Sequence, residues 1–216
     1  MITIALSKGR IFEETMPLLK AAGVTALEDP ESSRKLILPT NRDDVRLIIV
    51  RASDVPTYVQ YGAADAGVAG KDVLLEHGAQ WGDVGLAQPL DLGIGRCTVI
   101  VARPRDGRPL PRGVAPRVAT KYVNLAAAHF ARKGLPAEII HLQGSIEVAP
   151  SLGLADRIVD ITETGETLKA NGLVIEETVL EVSARLVVNR VALKLHAERL
   201  RRLVEALRKA AAAGGR

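Results

Sequence analysis

DRIVDITETGETLKANGL, residues 156–173, decides how this chain is read. Its apolar run from Ile158 to Ile161 ends in hydroxyl residues and Gly165, and a helix-forming stretch then closes at Asn171-Gly172. The order is strand, turn, short helix. Two readings of the turn stand side by side. In the first, backbone N–H groups at Thr164, Gly165, Glu166 and Thr167 face out of a helix start, where unpaired donors and partial positive charge favour an anion, and the turn is a phosphate cradle. In the second it is an ordinary β-α turn capped by Thr162 or Thr164.

The rest of the chain suits a phosphate-handling protein. Arginine accounts for 20 of its residues against 9 lysines, and the formal net charge is +4. Aromatic residues make up only 3 % and the cations are scattered, so stacking platforms for nucleic acid are not expected. With 47 % hydrophobic residues over 216 positions, one large or two small domains can bury a core. No apolar run approaches the roughly 18 residues needed to span a bilayer. The single cysteine, Cys97, leaves no intrachain disulfide and no zinc spacing. These features together point to a cytoplasmic chain without a membrane partner.

Upstream, Ile2 to Leu6 is apolar throughout, as a strand buried on both faces reads. Ser7-Lys8-Gly9-Arg10 follows, then a helical pattern that stops at Gly23. Lys8 and Arg10 therefore sit where ligands bind in open α/β sheets, at a strand's carboxyl end beside a helix start. Leu36–Leu38 and Leu47–Val50 form a predicted hairpin, with Arg34 before it and Arg51 after it. Ser53-Asp54-Val55-Pro56 opens a helix with a cap residue and a proline just inside. The small residues from Gly62 to Asp72 permit close approach of either another segment or a ligand.

Further on, Cys97–Ala102 is a strong strand, and Pro104, Pro109, Pro111 and Pro116 mark a loop. Val118–Thr120, Tyr122–Lys133, Glu138–Leu142 and Ile146–Leu152 then read as strand, helix, strand, helix. Val174–Val182 is extended, and Arg185–Ala213 reads as helical, with Leu200, Leu203, Val204 and Leu207 on one stripe. This alternation predicts an α/β protein with parallel-rich sheets, split into two lobes near Leu90.

Four segments together resemble the ATP phosphoribosyltransferase family: ALSKGR (5–10), VRASDVPTYVQYGAADAGVAGKDVLLE (50–76), LGIGRCTVIVA (92–102) and EVAPSLGLADRIVDITETGETLKANGL (147–173). Thr162 stands where such proteins usually carry valine, and Ser7 where they often carry proline or threonine. Neither difference removes a charge or a glycine. The resemblance implies transfer of 5-phosphoribosyl from phosphoribosyl pyrophosphate to N1 of ATP with release of pyrophosphate. It also implies a two-lobed fold like the type II periplasmic binding proteins, with residues 1–91 and 183–216 in lobe I, 92–182 in lobe II, and the site in the cleft. A chain ending at Arg216 is expected to be the short form. Its implied partner is a regulatory subunit similar to histidyl-tRNA synthetase, in a hetero-octamer.

On this resemblance the sugar's 5-phosphate falls to the turn Thr162, Glu163, Thr164, Gly165, Glu166 and Thr167, with the two glutamate side chains turned away. Asp160 and Glu147 are candidates for the ribose hydroxyls, although an aspartate at a strand end also caps the following turn. Lys8, Arg34 and Arg51 are the expected catalytic cations for pyrophosphate and the ATP triphosphate, since guanidinium forks match phosphate oxygens. Arg10 is a fourth, and Asp72 joins Lys8, Arg10 and Arg34 as a candidate for ATP. Asp54 and Asp72 read equally well as helix caps. Mg2+ is expected on the substrate phosphates rather than in a protein cage. The alternative expectation is a solute-binding protein of the same fold without catalysis.

Overall fold

The computed structural model describes residues 1–29, 33–81, 85–107, 111 and 113–214. The apolar N-terminal run forms β1 (Ile2–Ser7), and α1 (Arg10–Ala21) follows across Gly9. The hairpin is β2 (Ile37–Pro39) and β3 (Val45–Val50), with Ile37 opposite Ile48. A 3-10 turn at Ala52–Asp54 leads into α2 (Val55–Gln60), then β4 (Ala66–Gly70), α3 (Lys71–Trp81) and β5 (Leu86–Asp91). Next come β6 (Cys97–Pro104), β7 (Arg117–Thr120), α4 (Val123–Arg132) and β8 (Glu138–His141). Pro109 of the expected loop lies outside the described residues. The stretch 156–173 supplies β9 (Arg157–Thr162) and α5 (Glu166–Ala170), and β10 (Leu173–Val182) follows. The chain closes with β11 (Ala184–Asn189), α6 (Arg190–Leu195) and α7 (Ala197–Gly214).

Two units result, Met1–Gly95 with Ser183–Arg216, and Arg96–Val182. The first unit's sheet has the order β2-β3-β1-β4-β11-β5, with β3, β1 and β4 parallel and the remaining pairs antiparallel. Ile4 and Leu6 face a cluster containing Leu19 of α1 and Leu200, Leu203 and Leu207 of α7, so the predicted stripe is buried. Ala5 faces the other way, toward Val55 and Val59 of α2. The second unit's sheet has the order β10-β6-β9-β7-β8, with β9, β7 and β8 parallel. Ile100 and Ile158 meet Leu168 of α5 on one face, while Val99, Val101 and Val159 meet Phe130 of α4 on the other. Each sheet is covered on both faces by helices or turns, which is why its central strands read as unbroken apolar runs.

Three expectations are corrected. Both sheets are mixed rather than parallel-rich, because β2, β5 and β11 in the first and β6 and β10 in the second pair antiparallel with their neighbours. The helix expected over Arg185–Ala213 begins only at Arg190, and its first residues are β11, inside the first sheet. A strand buried on both faces and a buried helix segment share a continuous apolar pattern. What separates them here is Asn189, whose side-chain oxygen accepts the N–H groups of Val191 (2.8 Å) and Ala192 (3.0 Å) and so caps α6. Finally, Ile146–Leu152 is not a helix but a single 3-10 turn, Ile146–Val148, stopped ahead of Pro150 and of Gly153 at φ +70°. β5, at the sheet edge where Pro89 is tolerated, was not anticipated at all.

Candidate functional site

In the second unit, β9 delivers Asp160 and Thr162 to the carboxyl end of the parallel strands. Gly165, in the left-handed region at φ +77°, holds the N-cap position of α5 that Thr162 or Thr164 was expected to hold. The two threonines close the turn instead. The Thr162 hydroxyl accepts the Gly165 N–H at 3.0 Å, and that of Thr164 accepts the Glu166 N–H at 3.4 Å. A hydroxyl that accepts one bond still carries its own proton for donation. Glu163, Thr164, Glu166 and Thr167 are all exposed.

Asp160 is different in kind, at 8 % exposure. Its Oδ1 accepts the Ile161 N–H at 2.8 Å and lies 3.5 Å from the Lys121 ammonium. Burial pushes the Asp160 carboxyl above its ordinary range; the Lys121 cation and the Ile161 amide act against this, and the charge of Glu147 adds to it. Glu147 sits in the 3-10 turn. Thus Asp160 and Glu147 share one locality, with Lys121 as the cation beside them. In the sequence Lys121 reads as an ordinary residue after a short strand. Only the pairing of Thr120 with Val159 brings it level with Asp160.

In the first unit, β1 and β3 run parallel with Ser7 opposite Val50, so Lys8 and Arg51 leave neighbouring strand ends side by side in sequence register. Arg34 precedes β2, which runs antiparallel to β3, with the Leu36 carbonyl accepting the Ile49 N–H at 2.8 Å. It therefore reaches the same end of the sheet. Arg10 opens α1 directly after Gly9, whose φ of +100° and ψ of −165° only glycine adopts readily. Lys8, Arg34 and Arg51 are exposed, and among the described residues none of them is held in an ion pair. Exposed cations gathered at one sheet end without carboxylate partners are suited to receive an anion.

The two aspartates of the first unit separate. Asp54 occupies the N-cap position of α2 but makes no side-chain cap bond, and Ser53 donates to its Oδ1 at 3.0 Å. The expected capping by Asp54 is therefore not formed. Asp72, 5 % exposed in the first turn of α3, lies so close over Gly70 that a Cβ there would meet its Oδ1 at 2.2 Å. Gly67 is similarly crowded, with a Cβ falling 2.7 Å from Val55 Cγ1. Gly67 and Gly70 thus serve close packing of backbone against side chains, whereas a Cβ at Gly62 would meet nothing within 4 Å. Among the described residues no group of three or more His, Cys, Asp or Glu side chains is arranged to hold a metal ion.

Comparison with known proteins agrees across the whole length. A family model described as HisG, ATP phosphoribosyltransferase, matches residues 51–209. An ATP phosphoribosyltransferase of Anaeromyxobacter sp. (strain K) is 66 % identical over 216 residues, covering 100 % of this chain and 96 % of that protein. One from Methylobacillus flagellatus is 60 % identical, with 99 % of each covered. Among solved structures, the ATP phosphoribosyl transferase (HisG:HisZ) complex from Thermotoga maritima contains a chain that is 37 % identical with a TM-score of 0.83, covering 99 % of this chain and 100 % of that one. The periplasmic aliphatic sulphonate binding protein SsuA of Escherichia coli matches with a TM-score of 0.60 at 12 % identity over 98 % of this chain and 72 % of its own, a likeness of fold alone.

Proposed function

The chain belongs to the ATP phosphoribosyltransferase family, and from that premise we infer how its residues divide the work. The reaction is transfer of 5-phosphoribosyl from phosphoribosyl pyrophosphate to N1 of ATP, the first step of histidine biosynthesis, with pyrophosphate released. Positive charge develops on the sugar while negative charge grows on the leaving group, so placed charges matter more than acid–base groups.

The turn Thr162–Thr167 seats the 5-phosphate. The threonine hydroxyls and the Thr164 and Thr167 amides donate to it, while the expected Gly165 and Glu166 amides are taken up by the Thr162 and Thr164 hydroxyls; the Glu163 and Glu166 side chains are exposed. Asp160 and Glu147 take the ribose hydroxyls. Lys8, Arg34 and Arg51 meet the pyrophosphate and the ATP triphosphate, supported by Arg10, while Asp72 shapes the end of β4 against Gly70. The observation that carries this division is the gathering of Lys8, Arg34 and Arg51, without ion-pair partners among the described residues, at one end of the first unit's sheet. A magnesium ion, if held on the substrate phosphates rather than by protein carboxylates, would supply charge neutralisation for the leaving group.

A regulatory subunit is the proposed partner; the similar Thermotoga maritima chain is itself part of a HisG:HisZ complex. We assign this subunit to the histidyl-tRNA-synthetase-like kind, in a hetero-octamer. Among the described residues no helix is long and apolar enough to cross a membrane, and the proposed setting is the cytoplasm. A solute-binding role is not favoured, since the likeness to SsuA rests on fold at 12 % identity. The reading is tested by nuclear magnetic resonance of the product formed from ATP, phosphoribosyl pyrophosphate and magnesium. A new bond from C1 of the ribose to N1 of adenine is expected, and attachment elsewhere would refute it.

A further inference from the structure

Resting on the assignment of Asp160 to the ribose hydroxyls, we propose that Lys121 is a positioning residue for the sugar phosphate, its ammonium holding the Asp160 carboxylate ready to accept bonds from those hydroxyls. The geometry around Lys121 is built rather than incidental. Thr120, fully buried, donates its hydroxyl to the Val159 carbonyl at 2.6 Å and accepts the Tyr122 N–H at 2.9 Å. Thr120 is thereby tied to β9, one position before Asp160, and Tyr122 is tied to Thr120, so the backbone on both sides of Lys121 is fixed. The side chain is held as well, with its ammonium 4.9 Å from the centre of the buried Tyr122 ring and 3.5 Å from Asp160 Oδ1.

The chemistry calls for such a cation. A ribose hydroxyl donates to an ionised carboxylate more strongly than to a protonated one. Asp160 lies in a poor place to stay ionised, since it is buried and has Glu147 nearby. Two carboxylates in one locality resist ionising together, and a cation within a few ångströms reverses that. Among the described residues the charges that act on Asp160 are those of Lys121, after β7, and Glu147, in the 3-10 turn, while β6 contributes the apolar Ile100 opposite it. Lys121 is thus the cation that offsets both burial and Glu147.

The sign follows directly. Removing Lys121 raises the Asp160 carboxyl further, so the ionised form is lost at a higher pH than before. The test is kcat/KM for phosphoribosyl pyrophosphate against pH in the full chain and in Lys121→Met, Lys121→Arg and Asp160→Asn. Lys121→Met is expected to move the acid limb upward by about one pH unit or more, leaving KM for ATP unchanged. Lys121→Arg is expected to restore the limb. A uniform loss at every pH, with the limb in place, would overturn the proposal by making Lys121 a direct phosphate contact or a structural residue. Asp160→Asn separates the two layers of inference. An unchanged KM for phosphoribosyl pyrophosphate in that variant would remove Asp160 from the ribose, and the role of Lys121 with it. A raised KM there, beside an unmoved limb in Lys121→Met, would overturn the role of Lys121 alone.

Discussion

Gly67→Ala tests whether the small residues before α3 exist for packing or for a ligand. Gly67 lies in β4 opposite Ala5 of β1, and β4 is buried along its whole length. An added Cβ would stand 2.7 Å from Val55 Cγ1, 3.0 Å from Val59 Cγ2 and 3.2 Å from the Ala5 carbonyl oxygen. Unstrained carbon contacts lie near 3.5–4.0 Å. The Ala5 carbonyl belongs to the sheet and cannot retreat, so α2 must move outward by several tenths of an ångström. Overpacking of this kind costs about 1–3 kcal/mol, which for a chain of this size lowers the melting temperature by roughly 2–12 °C. Thermal melting followed by circular dichroism reads this loss. Val55→Ala removes the closest atom, so the double variant should be more stable than the two single losses added, with a coupling of about 1 kcal/mol or more. A Gly67→Ala protein that melts normally but has a raised KM for ATP would refute the packing account and give the gap to the nucleotide.

Two further outcomes follow from the same structure. Arg51→Ala should lower turnover on the order of 100-fold if the guanidinium meets charge that develops in the transition state; unchanged turnover with unchanged substrate affinity would remove Arg51 from the site. Glu177 accepts from the Lys133 ammonium and from His129 Nε2–H at 3.0 Å, and the Lys133 ammonium foremost holds its carboxyl below the ordinary range. Its contribution to stability is therefore full above the unfolded carboxyl value, about pH 4.3, and is lost as pH falls through the lower folded value. Glu177→Gln should cost about 0.5–1 kcal/mol at neutral pH and flatten the acid limb of the melting profile. A limb as steep as that of the parent chain would show that other carboxylates govern it.

How much of this was legible depended on whether a signal was local. β1 could be read from Ile2–Leu6 because both its faces are buried, and the turn at 162–167 because hydroxyls and glycine follow an apolar run. The stripe of α7 was visible at its own period. β11 was lost because Leu186, Val187 and Val188 run without a break into a helix, and the one local mark of the boundary was Asn189, a cap residue followed by a helical pattern. The 3-10 turn at Ile146–Val148 reads as a helix from its apolar residues, and Pro150 and Gly153 just beyond it are what stop it. At the site, Lys8 and Arg51 were found because each follows a strand directly. Lys121 was not, since its meaning comes from the pairing of β7 with β9, strands separated by some forty residues of sequence. Nor could sequence reveal that Thr162 and Thr164 bond the turn's own amides, because that depends on the left-handed backbone at Gly165.

Pyrophosphate release measures phosphoribosyl transfer most directly. With ATP, phosphoribosyl pyrophosphate and magnesium supplied, and the regulatory subunit added, one pyrophosphate should appear for each ATP consumed, and none when either substrate is left out. Saturable binding of both substrates with no pyrophosphate formed under those conditions would contradict the account.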